Sequence, residues 1–185
     1  MKSIAILGST GSIGVSTLQL ARQFPGEFKV RGLVAGRNLK RLASQVRQFS
    51  PDWVSIQEKE DIPVLQELLG NRRMEILSGE DGATAIATAG GVDTVVAAIV
   101  GGAGLVPTLG AVRAGKEVAL ANKEALVMAG EIFVREAKKK RARLLPLTAS
   151  IAPSFNVCRE TALRRWSALF LPPPGGLFCG LLLRA

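Results

Sequence analysis

The chain has no histidine among its 185 residues, and it has only two cysteines. The absence of histidine excludes a Ser-His-Asp triad, a Cys-His dyad, histidine metal ligands and histidine general acid–base catalysis. Two cysteines are too few for a disulfide framework. Any chemistry must therefore depend on lysine, on carboxylates, on a bound metal or on a cofactor.

Long apolar runs are also absent. No uninterrupted stretch reaches about 18 apolar residues, so we expect no transmembrane span and no membrane partner. Met1-Lys-Ser leads directly into a predicted strand, which leaves no room for a signal peptide. A hydrophobic content of 48% is ample for a packed core. We therefore expect a soluble cytoplasmic protein with one domain, or one domain and a fragment.

Positive charge is in excess, with a formal net charge of +9 at pH 7. The densest basic stretch, residues 135–143, falls at the end of a predicted helix, where cations face solvent and the negative end of the helix dipole. No aromatic residues are interleaved with it for base stacking. The pattern favours a solvated helix end over a nucleic-acid patch, and no nucleic-acid partner is expected.

The stretch Gly8-Ser-Thr-Gly-Ser-Ile-Gly14 follows a short apolar run and precedes an amphipathic segment, residues 15–24. A strand, a glycine-rich turn and a helix in this order are typical of the phosphate cradle in a dinucleotide-binding βαβ unit. The spacing G-x-x-G-x-x-G differs from the commoner G-x-G-x-x-G. A glycine-rich turn with a purely structural role is therefore the alternative.

Strand-like apolar runs alternate with helical segments along most of the chain. We predict strands at 2–8, 28–35, 53–56, 74–77, 92–100, 117–121 and from 143, and helices at 12–24, 38–48, 60–69, 80–89, 105–114 and from 122–124 to about 140. This alternation predicts an α/β fold with a doubly wound, mostly parallel, Rossmann-like sheet. Ligands of such sheets bind outside the carboxyl ends of the strands. One cofactor could therefore contact the turns at 8–14, 36–38 and 122–124.

The second predicted strand leads into Gly36-Arg37-Asn38. The dinucleotide fingerprint expects a carboxylate here, which would hold the ribose 2′-hydroxyl. Its absence removes a repulsion, and the arginine offers a planar cation to a 2′-phosphate. The pattern favours NADP over NAD. The alternative is a surface arginine beside a helix-capping asparagine.

Four stretches together resemble the 1-deoxy-D-xylulose 5-phosphate reductoisomerase family. They are Gly8 to Gly14, Ala35-Gly-Arg-Asn38, Ala98-Ile-Val-Gly101 and Ala121-Asn-Lys-Glu-Ala-Leu-Val-Met-Ala-Gly130. The resemblance covers residues 1–146. It implies the NADPH-dependent conversion of 1-deoxy-D-xylulose 5-phosphate to 2-C-methyl-D-erythritol 4-phosphate in isoprenoid precursor synthesis. It also implies a sugar phosphate substrate, a divalent metal (Mg, Mn or Co) and a homodimer in the intact family.

The resemblance also implies roles for individual residues. By position, the cofactor pyrophosphate would be held by Thr10, Gly11, Ser12 and Ile13, and the adenosine ribose with its phosphate by Gly36, Arg37 and Asn38. Asn122 and Glu124 would contact the cofactor near the nicotinamide, and Lys123 would contact the substrate. From the residues alone, Asn122-Lys-Glu124 is an ordinary helix start, with an asparagine cap and a glutamate favoured by the dipole.

The chain departs from the family pattern after Pro146. The family continues with Val-Asp-Ser-Glu-His-Ser-Ala, which supplies two carboxylates to the metal and a serine to the substrate. Here residues 147–156 read Leu-Thr-Ala-Ser-Ile-Ala-Pro-Ser-Phe-Asn. If the coding sequence is read in a shifted frame, in which each codon joins the last base of one codon to the first two of the next, the new codons can encode the missing Asp, Glu and His. The same offset over residues 169–178 permits Ile-Leu-Thr-Ala-Ser-Gly-Gly-Pro-Phe, another family segment.

We therefore expect an NADP-binding domain, residues 1–146, and a poorly ordered tail, residues 147–185, and we hypothesise that the tail is translated out of frame. We expect no metal ligands and no catalytic residues in this chain, little or no turnover, and doubtful dimer formation. A stand-alone NADP-binding module without catalysis is the alternative function.

Overall fold

The computed structural model describes residues 1–72 and 74–147, except for the side chain of Lys123. The expectations for the tail from residue 148 onward lie outside the described residues. The strands β1 to β7 are Lys2–Leu7, Phe28–Val34, Trp53–Ile56, Ile76–Ser78, Thr94–Ala97, Glu117–Leu120 and Arg143–Pro146. The helices α1 to α6 are Ser12–Gln23, Leu39–Phe49, Ile62–Leu69, Gly79–Thr88, Leu105–Arg113 and Lys123–Lys140.

The strands form one sheet in the order β4-β3-β2-β1-β5-β6-β7. Every pairing between them is parallel. The prediction of a doubly wound α/β fold is therefore confirmed. Strand β1 lies at the centre, and the chain builds outward first on one side of it and then on the other. The crevice between the carboxyl ends of β1 and β5 is consequently the switch point where ligands of such sheets bind.

The core lies on both faces of the sheet. Along β1, Ile4 and Ile6 point to one face, while Ala5 and Leu7 point to the other, as the two-residue period of a strand requires. The face of Ile4 is covered by α1, α2 and α3, and the opposite face by α4, α5 and α6. Because β1 is buried on both sides, its sequence is a continuous apolar run rather than an alternating one.

Strand β5 is shorter than the predicted strand 92–100, which was wrong at both ends. The strand ends at Ala97 because the chain then leaves the sheet plane. The Ala98 amide still donates to the Leu7 carbonyl at 2.8 Å, but Val100 is 84% exposed and Gly101 has a φ of +76°. The loop 98–101 is therefore part of the carboxyl edge and not part of the sheet.

Helix α6 extends as far as predicted but is bent. Ala129 has φ −146° and ψ 28°, which are non-helical values and divide the helix into two segments. Lys138, Lys139 and Lys140 occupy its last turn and are exposed, which agrees with a solvated basic helix end. Within residues 1–72 and 74–147, no helix has the length and apolar character needed to cross a membrane.

Candidate nucleotide-binding site

The turn 8–14 is anchored to the end of β2 and lies against the loop that follows β5. The amides of Gly8 and Ser9 both donate to the Val34 carbonyl, each at 2.8 Å. Gly8 has a φ of +90°, and a Cβ on it would lie 2.6 Å from the Ala98 carbonyl oxygen. Position 8 therefore requires glycine for its conformation and for the close approach of two backbones.

The start of α1 packs directly on this turn. A Cβ on Gly14 would lie 2.6 Å from the Cα of Ser9 and would also clash with the Gly8 carbonyl oxygen. Gly11 is the N-cap and provides no side-chain hydrogen bond, and the first turn of α1 has no acidic residue. Because the first amides of a helix lack intrahelical partners, those of the α1 N-terminus are available to an anion. Thr10, Gly11, Ser12 and Ile13 are the residues at this opening.

The turn 36–38 lies beside the glycine-rich turn, at the end of β2. Asn38 caps α2, since its Oδ1 accepts the Arg41 amide at 3.1 Å. Arg37 is exposed, and within the described part of the chain its guanidinium forms no ion pair. A Cβ on Gly36 would lie 3.5 Å from Gln57 Oε1, an ordinary van der Waals contact. Asn38 thus caps the helix, as the structural alternative for this turn requires. Arg37 beside it is exposed and forms no ion pair with the described residues.

Two side chains of α2 contact the glycine-rich turn, and the sequence did not identify either. Arg41 Nη1 donates to the Thr10 carbonyl at 3.1 Å. The buried side chain of Gln45 donates from Nε2 to the Ser9 carbonyl at 2.8 Å. Positions 41 and 45 are one helical turn apart and share a face of α2. A glutamine among buried apolar positions was the one signal that could have revealed this contact.

The turn 122–124 is fastened to the loop 98–101 by Asn122. This buried side chain donates from Nδ2 to the carbonyls of Ile99, at 2.6 Å, and Gly101, at 3.0 Å. Its Oδ1 accepts the Glu124 amide at 2.8 Å, so the residue also caps α6. The helix-start interpretation is therefore correct locally. Because its amide donors and its oxygen are all engaged, Asn122 acts here by holding two backbone segments together.

The other two residues of this turn lie at the beginning of α6. Glu124 is half-buried in the first helical turn. Lys123 is the first residue of the helix, and its side chain lies outside the described part of the structure. A contact of either one with a cofactor or substrate stays a prediction.

These contacts bring the predicted residues into one region. The turns after β2 and β1, the loop after β5 and the turn after β6 follow four adjacent strands and meet at the same edge of the sheet. In residues 1–72 and 74–147, no group of three or more His, Cys, Asp or Glu side chains could hold a metal ion. The uncapped start of α1 and the arginine-containing turn 36–38 can accept an anionic nucleotide. The fold and this edge define a Rossmann-like nucleotide-binding domain.

Comparison with known proteins identifies the family. The model of the 1-deoxy-D-xylulose 5-phosphate reductoisomerase family matches residues 4–130, and the chain belongs to this family. The reductoisomerase of Pelodictyon phaeoclathratiforme is 46% identical over 178 residues, which is 96% of this chain and 47% of the relative. The chain thus spans about half the length of the curated relatives that it matches, and this alignment extends beyond Leu147.

Solved structures agree with this assignment. The Zymomonas mobilis reductoisomerase in complex with NADPH is 38% identical, with a TM-score of 0.76 over 80% of this chain and 39% of that one. A reductoisomerase in complex with NADPH, fosmidomycin and magnesium is also 38% identical, with a TM-score of 0.77 over 90% of this chain and 43% of that one. The resemblance inferred from the four sequence stretches is confirmed.

Proposed function

We propose that this chain is the NADPH-binding half of a 1-deoxy-D-xylulose 5-phosphate reductoisomerase. The observation that carries the proposal is the start of α1, which has no side-chain cap and packs on the turn 8–14 at a distance that only glycine permits at position 14. A helix N-terminus in this position offers amides and a positive dipole to a pyrophosphate.

The residues present fit NADPH along the carboxyl edge. Thr10, Gly11, Ser12 and Ile13 would bind the pyrophosphate, and Gly36, Arg37 and Asn38 the adenosine ribose with its 2′-phosphate. Two features support NADPH over NADH: Arg37 forms no ion pair with any residue that the structure describes, and the turn 36–38 contains no carboxylate. Asn122, Lys123 and Glu124 would lie on the nicotinamide side, where Asn122 holds the loop 98–101 in place. NADPH, when bound, supplies a hydride; the residues of this chain bind and orient it.

The substrate and the metal belong to the proposal for the intact family only. The family motif with the metal carboxylates would follow Pro146, and the residues that replace it here include no Asp, Glu or His over 147–156. We therefore propose that this chain binds cofactor with little or no turnover of 1-deoxy-D-xylulose 5-phosphate. The second candidate is a stand-alone NADP-binding module without catalysis, for which the uncapped start of α1 is equally suited. For both candidate functions we propose a cytoplasmic protein. Homodimer formation is proposed for the intact family alone.

A turnover assay separates catalysis from binding alone. The full chain is mixed with 1-deoxy-D-xylulose 5-phosphate, NADPH and manganese, and NADPH oxidation is followed by absorbance. We expect no oxidation above the rate without protein. Sustained oxidation that depends on the sugar phosphate would show that the chain is catalytic and would overturn the proposed inactivity.

Cofactor choice is tested by titrating the chain with NADPH and NADH and following nicotinamide fluorescence. We expect tighter binding of NADPH, and we expect Arg37→Ala to reduce that preference. A lost charge-assisted hydrogen bond is worth about 1.5–3 kcal/mol, which corresponds to roughly ten- to a hundredfold in affinity. Equal affinity of the unmodified chain for both nucleotides would refute the role of Arg37.

The out-of-frame tail is a proposal about the gene. Its test is the coding DNA across the codon for Pro146. The shifted frame must spell Asp-Ser-Glu-His for the hypothesis to hold. Any other reading means that the tail is a genuine, divergent continuation of the chain.

A further inference from the structure

Arg41 lies between the two turns that would hold the phosphates of the cofactor. Its backbone amide is bound by Asn38 Oδ1 at 3.1 Å, and its guanidinium Nη1 donates to the Thr10 carbonyl at 3.1 Å. One residue therefore contacts both the turn 36–38 and the turn 8–14. Within the described residues, no other cation makes such a pair of contacts.

Among the described residues, no neighbouring acid neutralises the charge of Arg41. Arg31, Arg113 and Arg143 each lie within ion-pair distance of a carboxylate, whereas Arg41 forms no ion pair in the described part of the chain. Neither α1 nor α2 contains an aspartate or a glutamate. A guanidinium has five N–H donors, and the Thr10 carbonyl takes one of them. The Thr10 carbonyl, a neutral acceptor, holds the Arg41 guanidinium in position without cancelling its charge. The other N–H donors can therefore bind an anion.

We propose that Arg41 is a further specificity-determining residue, whose guanidinium binds the 2′-phosphate of NADPH together with the turn 36–38. The inference rests on the NADPH binding proposed above. The guanidinium is a planar fork of N–H donors, which matches the oxygens of a phosphate. Anchoring by Thr10 reduces the entropy lost when the phosphate binds, because the side chain is already ordered.

The test compares Arg41→Ala with Arg41→Lys, and Arg47→Ala is the matched control. Arg47 lies in the last turn of the same helix, and its Nη1 also donates to a backbone carbonyl, that of Leu68, at 2.7 Å. Arg41 lies near the start of the helix and lines the groove between α1 and α2, together with Arg22. Each alanine variant removes one positive charge from α2. The difference between their affinities therefore separates a direct contact with the phosphate from the long-range electrostatic effect of one charge.

Dissociation constants for NADPH and NADH are measured on the full chain of each variant. We expect Arg41→Ala to lower the affinity for NADPH by roughly ten- to a hundredfold. The affinity for NADH should change by about threefold at most. Arg41→Lys should recover part of the loss, because it keeps the charge but not the fork. Arg47→Ala should change the affinity for NADPH by about threefold at most, with a difference that vanishes in high salt.

The outcomes distinguish the possible roles of Arg41. Equal weakening of NADPH and NADH would mean that Arg41 only supports the turn 8–14, and unchanged NADPH affinity would mean that it has no role; either result overturns the inference. Thermal unfolding of each variant shows whether a loss of affinity is caused by misfolding. If Arg41→Ala is misfolded, the affinities of Arg41→Lys for NADPH and NADH decide between the outcomes. If the unmodified chain binds neither nucleotide, the proposed NADPH binding itself fails, irrespective of Arg41.

Discussion

A methyl group added at Gly14 should reduce the affinity for the cofactor more than it reduces the stability of the fold. In Gly14→Ala, the new Cβ would lie 2.6 Å from the Cα of Ser9 and against the Gly8 carbonyl. Both obstacles are backbone, so neither can rotate away. The start of α1 must therefore shift outward from the turn 8–14.

The magnitude is a balance of two opposed terms. Alanine gains about 1 kcal/mol over glycine in a helix, whereas overpacking of a tight contact costs about 1–3 kcal/mol. We expect a net loss of about 0–2 kcal/mol in the free energy of unfolding, which for a domain of this size lowers Tm by roughly 0–8 °C. The loss in NADPH affinity should be larger, since displacing even one amide from a charged phosphate oxygen costs about 1.5–3 kcal/mol.

The assay combines thermal unfolding with NADPH titration, and Gly130→Ala is the control. Gly130 also lies in a helix, but a Cβ there meets nothing within 4 Å. The control should leave NADPH affinity unchanged. If Gly14→Ala binds NADPH as tightly as the parent, the close approach of α1 is not what makes the turn a phosphate cradle, and the reasoning is refuted.

Three further substitutions test other parts of the structure. Glu117→Gln should cost roughly 1–2 kcal/mol in urea unfolding at low salt and less at high salt, because the Glu117 carboxylate lies 2.6 Å from Lys2 Nζ and 3.5 Å from Arg143 Nη1; equal losses at both salt concentrations would contradict this. Asn122→Asp keeps the helix cap but removes both amide donors, so it should destabilise by roughly 1–3 kcal/mol, and an unchanged Tm would contradict the fastening role. Phe133→Ala empties a fully buried site and should cost roughly 3–5 kcal/mol in the same unfolding assay; a cost under about 1 kcal/mol would mean that the site collapses.

Much of the fold followed from local signals in the sequence. The apolar run ending at Leu7, the glycines at 8, 11 and 14 and the break at Pro25 mark the ends of β1 and α1 within one residue of the observed bounds. These signals work because glycine and proline act through their own backbone geometry. Strand β5 was overestimated because Ala98 to Val100 are apolar, and apolar character alone does not reveal where a chain leaves the sheet.

The site was predicted less completely than the fold. Residues at strand ends can be assigned to the carboxyl edge from topology alone, and this brought the turns 8–14, 36–38 and 122–124 into consideration. The individual roles of Thr10 and Asn122 came from the family resemblance. Arg41 and Gln45 lie inside a helix, and their importance depends on the packing of α2 against the turn 8–14. The full engagement of Asn122 with two carbonyls was likewise invisible, since it depends on the path of a loop that lies twenty-odd residues earlier in the chain.

The contact of Gly8 with Ala98 means that the cradle is complete only when β5 is in the sheet. Residues 1–34 supply one side of the turn through the pairing of β1 with β2, and the segment around residue 98 supplies the other through the pairing of β5 with β1. A nascent chain that stops before β5 carries the whole glycine motif and half of its surroundings. Ligand binding would then couple to completion of the domain: at a hundred times its dissociation constant, a bound nucleotide adds about 2.7 kcal/mol to the stability of the finished fold and nothing to the unfinished one.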